Sequence, residues 1–357
     1  MRRYKWRTHE IIMETADTLT IVFDTGEERF GYESGQYLNI RCTIGGEPVS
    51  RSYSFSSAPT ERYPRITVKR VLNGRMSNYL VDYASDISEW NVEGPFGNFV
   101  LHRDMSAETE VVLLAGGSGM SPLLSMLKSI GNDAPAPLLL YACKTPADVL
   151  FKSELDELEQ DKRVHTYYAF SLDIQKRSGG NCMTGRFSQP VIQSVIEQYV
   201  QRPESAHYYI CGPTALMQLY QEALQLMDIP VSQIHSEYFD PVATVDVIPG
   251  DRDGAKKEVL VSYYEMQYQD AEQQTYECTL LIEVQGGQSL LDAMRAYDIV
   301  VSSSCHKGTC GACWAMTSNG KVKMTNNYAL TEDEVAEGKI LLCQSFPVDD
   351  AVSIILA

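Results

Sequence analysis

Ser304-Cys305-His306-Lys307-Gly308-Thr309-Cys310-Gly311-Ala312-Cys313, followed after 29 further residues by Cys343, carries four thiols in the order Cys-x4-Cys-x2-Cys and a distant Cys. That is the spacing of thiolate ligands around a [2Fe–2S] cluster. The Gly and Ala residues let a short loop wrap closely and aim backbone N–H groups at sulfur. Structural zinc is the competing reading, but zinc sites favour two short Cys pairs. Disulfides fit less well. The chain has nine Cys, an odd number, and Met1 to Thr20 is charged, with no apolar signal-peptide run. A cluster means single-electron chemistry, so the rest of the chain must say where the electrons come from.

The length of 357 residues predicts two or three domains. No stretch reaches the ~18–20 apolar residues of a membrane helix, so a cytoplasmic protein with no membrane partner is expected. The net charge of −17 argues against nucleic acid, whose binders present basic patches. Residues 258–357 hold 14 Asp and Glu against 5 Lys and Arg, a balance of −9. Two explanations stay open for that excess: steering of an electron-transfer domain to a basic partner, or plain solubility.

The first hundred residues read as short strands. Leu19–Phe23, Tyr37–Arg41 and Ile66–Val71 are β-rich and bounded by turn residues, which predicts an antiparallel barrel. From about Ala107 strand and helix alternate. Strands are expected at Val111–Leu114, Leu138–Tyr141, Val164–Ser171 and Tyr208–Cys211, with helices at Pro122–Ile130, Phe151–Gln160 and Ala215–Met227. That pattern predicts a parallel α/β sheet. Residues 244–257 look like a linker. Two strands, Val259–Tyr264 and Glu277–Val284, and a short helix, Ser289–Ala296, then lead into the cysteine loop.

Four further motifs carry chemistry. Arg51-Ser52-Tyr53-Ser54 offers a cation for a pyrophosphate, a ring to lie by an isoalloxazine and a hydroxyl for its N5. Gly74-Arg75-Met76-Ser77 opens a helical stretch, where free N–H groups bind phosphate. Ala115-Gly116-Gly117-Ser118-Gly119-Met120-Ser121-Pro122 joins a strand to a helix, with glycines for close approach to a pyrophosphate and Pro122 expected at the first helical position. Cys211-Gly212-Pro213 ends the last parallel strand, at the edge where ligands sit, although a buried structural Cys is also a fair reading.

These residues resemble the ferredoxin–NADP reductase superfamily, in particular its three-domain oxygenase reductases with a C-terminal plant-type ferredoxin. The resemblance spans the chain: R-x-Y-S at 51–54, G-x-x-S at 74–77, Gly94-Pro95-Phe96-Gly97, G-G-x-G-x-x-P at 116–122, C-G-P at 211–213, then the cysteine motif. The tail, Asn327–Leu330 through Leu342–Ser345, is most similar to the phenylacetyl-CoA epoxidase reductase subunit, whose relatives also serve alkane, steroid and aromatic-ring oxygenases.

The resemblance implies a multidomain α+β and α/β protein. A flavin barrel is expected at 1–105, a nucleotide domain at 106–243, a linker at 244–257 and a β-grasp ferredoxin domain at 258–357. It implies FAD held by Arg51, Tyr53, Ser54, Gly74, Met76 and Ser77, with Ser54 near N5. Gly117, Gly119 and Pro122 would form the pyridine-nucleotide loop, with Cys211 and Gly212 beside the nicotinamide; Ser54 and Cys211 are the residues expected at the chemistry. Glu237 and Phe239 would close the flavin site, and Cys305, Cys310, Cys313 and Cys343 would hold the cluster. Lys144, Ser171, Lys176 and Arg177 are placed to meet the 2′-phosphate of NADPH, and NADH stays open, because Ser171-Leu172-Asp173 blurs the usual Ser-Arg pair and an Asp or Glu on the ribose diol would indicate NADH instead. The implied route runs from NADPH through FAD and the cluster to an oxygenase component of di-iron type, by positioning, with no acid–base dyad expected. A redox sensor and a stand-alone oxidase are the alternatives.

Overall fold

The computed structural model describes residues 3–26, 30–72, 74–102, 108–173, 178–239, 256–269, 272–297, 299, 301, 303, 306, 308 and 311–356, without the side chains of 178–179 and 264–277. The chain divides into two compact units, Arg2–Asp240 and Pro241–Ala357.

The first unit opens with β1 (Arg3–Thr15), β2 (Thr18–Asp24), β3 (Tyr37–Ile44), β4 (Glu47–Ser54), β5 (Arg65–Lys69), α1 (Arg75–Tyr83) and β6 (Glu89–Phe96). The sheet order is β4-β3-β6-β1-β2-β5, antiparallel throughout. A bridge between Phe55 and Ile66, just past β4, curls the two edges onto each other. Trp6, Phe23, Leu38, Ile40, Phe55 and Trp90 fill the interior, and Met76 and Leu80 of α1 pack against them. Arg51–Ser54 is the end of β4 and pairs with β3.

The parallel part contains β7 (Val111–Gly116), α2 (Met120–Ser129), β8 (Leu138–Cys143), α3 (Lys152–Gln160), β9 (His165–Phe170), β10 (Ser178–Gly179), β11 (Cys182–Thr184), α4 (Gln189–Tyr199), β12 (His207–Cys211), α5 (Thr214–Leu226) and β13 (Ile234–Glu237). The order is β10-β11-β9-β8-β7-β12-β13, parallel except at β10. The all-apolar β7 is explained by its two faces. Val111, Leu113 and Ala115 join the core under α2 and α3, whereas Val112 and Leu114 join the core under α4 and α5. Alternate side chains of a strand point to opposite faces, so a sheet covered on both sides needs a continuous apolar run. α2 begins at Met120, which makes Pro122 its third residue rather than its first. Proline is tolerated there because the first-turn N–H groups have no partner within the helix.

Ion pairs join barrel to sheet. Arg65 of β5 grips Glu154 of α3 through two hydrogen bonds of 3.0 and 3.1 Å. Arg65 also pairs with Glu61 at 3.1 Å, and Lys128 of α2 reaches both Glu61 and Glu154 at 2.7 Å. Ser125 Oγ donates to the Ser57 carbonyl at 2.6 Å alongside.

The second unit contains β14 (Lys257–Gln269), β15 (Glu272–Val284), α6 (Leu290–Ala296), β16 (Trp314–Asn319), β17 (Val322–Met324), α7 (Glu332–Ala336), β18 (Lys339–Leu341), β19 (Ser345–Pro347) and β20 (Ala351–Leu356). The main sheet runs β15-β14-β20-β16-β18, with β14 and β20 parallel, and β17 pairs with β19. Ser289 caps α6 by accepting from Asp292 N at 3.1 Å. The expected domain boundary at 105/106 and most of the expected linker lie outside the described residues, and Lys257 already belongs to β14.

Burial raises the proton affinity of Glu154, but the hydrogen bond and charge of Arg65, then Lys128, outweigh it and hold the carboxyl below its ordinary 4.5. Its contribution to stability is present above 4.5 and is lost as pH falls through the lower folded value. Replacing Glu154 by Gln should cost about 2–4 kcal/mol, because two cations each lose one of their two carboxylate partners and share Glu61 alone. Calorimetry should show Tm lower by roughly 5–10 °C at neutral pH, with the gap from wild type closing in acid.

Candidate functional site

Strand order places the carboxyl ends of β7, β12 and β13 side by side. Cys211 is level with Ala115 on one side and Glu237 on the other. The glycine loop lies against the Cys211–Pro213 turn backbone to backbone. A methyl group on Gly119 would sit 2.1 Å from the Cys211 carbonyl oxygen and 2.6 Å from the Gly212 nitrogen. One on Gly212 would sit 3.0 Å from Gly116. Gly117, by contrast, is left-handed at φ 51°, and a methyl there would meet nothing within 4 Å. The loop is thus closed toward the fold and open on its outer side.

Two buried tyrosines fix this loop. The Tyr141 hydroxyl donates to the Gly117 carbonyl at 3.1 Å and accepts from Leu150 N at 3.3 Å. The Tyr220 hydroxyl donates to the Ala115 carbonyl at 3.2 Å. α2 starts without a side-chain cap and with no acid in its first turn. Such an end presents free N–H groups to an anion. The residues therefore fit the pyrophosphate of a pyridine nucleotide. Beyond the next strand ends, Lys144 is exposed, and Ser171 donates to the Cys143 carbonyl through N–H at 3.0 Å and Oγ at 3.4 Å. Lys176 and Arg177 lie outside the described residues.

The barrel reaches the same edge through Ser54. Its Oγ donates to Glu237 Oε2 at 3.2 Å, across 183 residues of sequence. Burial drives the Glu237 pKa up to about 8, against the opposing hydrogen bond from Ser54. The carboxyl is therefore protonated at neutral pH and poised to titrate just above it. Burial, followed by the charge of Glu237, pushes the Cys211 thiol well above its ordinary value, so it stays neutral. The sequence offered no acid–base dyad; the fold builds a hydroxyl–carboxyl pair beside a thiol. Phe239, two residues beyond Glu237, is 40% exposed.

The flavin candidates line up along β4 and α1. Arg51 is exposed, the Tyr53 ring is half-buried and its hydroxyl pKa is raised by burial, and Ser54 is buried. Gly74 caps α1 with extended backbone, no side-chain cap and no acid in the first turn. A methyl on Gly74 would lie 2.4 Å from Ser77 Oγ, which itself accepts from Val71 N at 3.2 Å. Met76 is buried against the barrel core, so it supports the helix start from beneath. An uncapped helix start near an exposed guanidinium fits a flavin pyrophosphate.

In the second unit, Cys313 and Cys343 are buried. β16 and β18 pair antiparallel, and Leu342 N donates to the Cys313 carbonyl at 2.9 Å, which brings these two thiols to one end of the strand pair. Neither is in a disulfide. Cys305 and Cys310 lie outside the described residues. Gly308, left-handed at φ 81°, lets the loop pass where a methyl would meet the Asn326 carbonyl at 2.5 Å. Two buried, reduced thiols beside a glycine-shaped loop fit an iron–sulfur ligand set.

Comparison with known proteins assigns all three regions to families. Residues 5–101 match the oxidoreductase FAD-binding domain, 113–222 the oxidoreductase NAD-binding domain and 275–348 the 2Fe-2S iron-sulfur cluster binding domain. The chain is 30% identical to the glycine betaine monooxygenase reductase subunit of Pseudomonas aeruginosa, over 98% of this chain and 94% of that one. It is 26% identical to one of the subunits of the 1,2-phenylacetyl-CoA epoxidase of Escherichia coli, over 95% and 93%. Among solved structures, phthalate dioxygenase reductase superposes with a TM-score of 0.59 at 24% identity, covering 99% of this chain and 98% of that one. The chain belongs to the family of oxygenase reductase components that combine FAD-, NAD- and [2Fe–2S]-binding domains. It is an oxidoreductase of the electron-transfer type.

Glu237 yields a pH prediction. Its raised pKa means that its stabilising share is full below 4.5 and is lost as pH rises through about 8. The ionised carboxylate also opposes arrival of negative charge at this edge. Stopped-flow reduction of the bound flavin should slow as pH passes about 8 in wild type. Glu237→Gln should flatten that profile; an unchanged inflection in the variant would assign the titration elsewhere.

Proposed function

We propose that this chain draws electrons from NADPH and delivers them singly to the oxygenase component of a monooxygenase. The observation that carries this reading is the meeting of Ser54, Glu237 and Cys211 where the barrel touches the carboxyl edge of the nucleotide sheet. When bound, FAD exchanges two electrons with the nicotinamide and one at a time with a [2Fe–2S] cluster. The protein's part is placement. Arg51, Tyr53, Ser54, Gly74, Met76 and Ser77 hold the flavin, and Gly117, Gly119, Pro122, Cys211 and Gly212 hold the pyridine nucleotide. The protonated Glu237 keeps the Ser54 hydroxyl oriented and adds no charge to the edge. Cys211 and Gly212 leave room for a flat ring. Phe239, exposed beside them, covers the flavin. Cys305, Cys310, Cys313 and Cys343 are the cluster ligands.

The recipient is an oxygenase because the relatives are reductase components of such systems. Two resemblances point to different partners. The Asn327–Ser345 stretch favours a phenylacetyl-CoA epoxidase type and hence a di-iron partner. Whole-chain identity is higher to the betaine monooxygenase reductase, at 30% against 26%. Both relatives serve enzymes named for inserting a single oxygen atom. Titrating each oxygenase component against purified reductase should identify the one that couples NADPH consumption to product. Cys310→Ser should abolish that coupling and the cluster absorbance while NADPH still bleaches the flavin. Full cytochrome c reduction by that variant would remove the cluster from the route.

NADPH is preferred over NADH on the strength of Lys144. It is exposed directly after β8, whereas the first acid that follows, Asp148, is occupied in its own turn by Thr145 N at 3.0 Å and Thr145 Oγ1 at 2.6 Å. Both bonds fall on one oxygen, Oδ2, and tie the carboxylate to its own turn rather than aiming it at a ribose diol. Lys144→Ala should raise the KM for NADPH about three- to tenfold, the worth of one partly screened charge-assisted contact, and leave that for NADH unchanged.

A further inference from the structure

His306 lies inside the cysteine loop, directly after Cys305, and its backbone is left-handed at φ 59°. For a residue with a Cβ that conformation is unfavourable and persists only when surrounding groups impose it. Two side chains from distant parts of the chain do so. The Gln344 amide donates from Nε2 to the His306 carbonyl at 2.9 Å and to the Cys343 carbonyl at 3.0 Å. Its Oε1 accepts from Thr325 Oγ1 at 2.9 Å and from Asn326 Nδ2 at 2.8 Å. All four hydrogen-bonding positions of the amide are filled. From the other side, Arg295 Nη2, at the end of α6, donates to Ser303 Oγ at 2.7 Å and to His306 Nε2 at 3.3 Å.

We infer that Gln344 and Arg295 are positioning residues for the cysteine loop: together they hold His306 left-handed, and so set the loop against the Cys343 segment before any iron is bound. Gln344 follows the fourth cysteine, and the carbonyl it grips follows the first. One side chain thus spans the two segments that must converge. Gly308 agrees. It is pressed against Asn326, and its carbonyl accepts from Tyr328 N at 3.0 Å, so Gly308 lies along the 325–328 segment that Gln344 also binds. This inference rests on the cysteine set being a [2Fe–2S] site. Partners that orient metal ligands without touching the metal govern retention of the metal.

The test uses the whole, cluster-loaded protein and follows bleaching of cluster absorbance by excess iron chelator in the absence of NADPH. Gln344→Leu should shorten the half-life about tenfold and Arg295→Gln about threefold, with flavin content unchanged. Adding His306→Gly to Gln344→Leu should restore the half-life to within about threefold of wild type, because glycine adopts positive φ without help. General destabilisation would not be rescued by glycine. If Gln344→Leu does not fold, Arg295→Gln and His306→Gly decide alone: the first should lose cluster faster, and adding the second should cancel that loss. Half-lives of the single variants within about twofold of wild type, or no rescue by glycine, overturn the inference. A wild-type protein that binds no iron would overturn the cluster reading instead.

Discussion

Arg65, Lys128, Glu61 and Glu154 form one charge-balanced group in the joint between barrel and nucleotide sheet, and the geometry of the site depends on it. Two cations face two carboxylates, each touching both of the opposite sign. Charges taken out of water are costly unless paired. A slide of one domain over the other would break the two pairs that cross the joint, Arg65–Glu154 and Lys128–Glu61, and leave only the pair within each side. The group therefore selects a single relative placement of β5, α2 and α3. That placement brings the Ser54 hydroxyl, at the end of β4, within hydrogen-bonding distance of Glu237, at the end of β13. A contact between residues 183 apart in sequence is only as well defined as the joint that carries it.

The same joint determines the chemistry of that contact. Glu237 sits at the carboxyl end of the sheet's outermost strand, an exposed position in an isolated domain. Covered by the barrel, it loses water, and its proton affinity rises until it is neutral at physiological pH. Cys211, one strand inward, is kept neutral by burial in turn. The carboxyl edge of β12 and β13 is thus uncharged although it contains an acid and a thiol. Its order comes from glycines that admit backbone to backbone and from Tyr141 and Tyr220, which anchor the carbonyls on either side of the turn.

Much of this is readable in the sequence where geometry demands a residue type at a short spacing. The cysteine set and the glycine loop are of that kind, and so are the continuous apolar runs of β7 and β8. Helix α4 is legible too, since Ile192, Val195 and Ile196 stand on one face and are buried there, yet it is missing from the expected helices. Placing Pro122 at the start of α2 fails by two residues, because the glycine turn is shorter than a loop of three glycines suggests. The Ser54–Glu237 pair is not readable as a pair. Neither side chain has a local partner that reveals its role, and the pKa of Glu237 is a property of the joint rather than of Ser-Glu-Tyr-Phe. The Gln344 amide is similar: its partners come from three separate segments, and glutamine beside a cysteine carries no signal by itself.

The strand pair that unites Cys313 with Cys343 also fixes an order of events during synthesis. β16 emerges from the ribosome before β18, and the hydrogen bond from Leu342 N to the Cys313 carbonyl cannot form until both are out. Barrel and nucleotide sheet precede them, and domains fold as units in the order they are made. The first unit is therefore complete while the thiols of the second are still apart in space. Convergence of Cys313 and Cys343 is then a late step of folding, and the cell's iron–sulfur supply meets a chain whose other half is already folded.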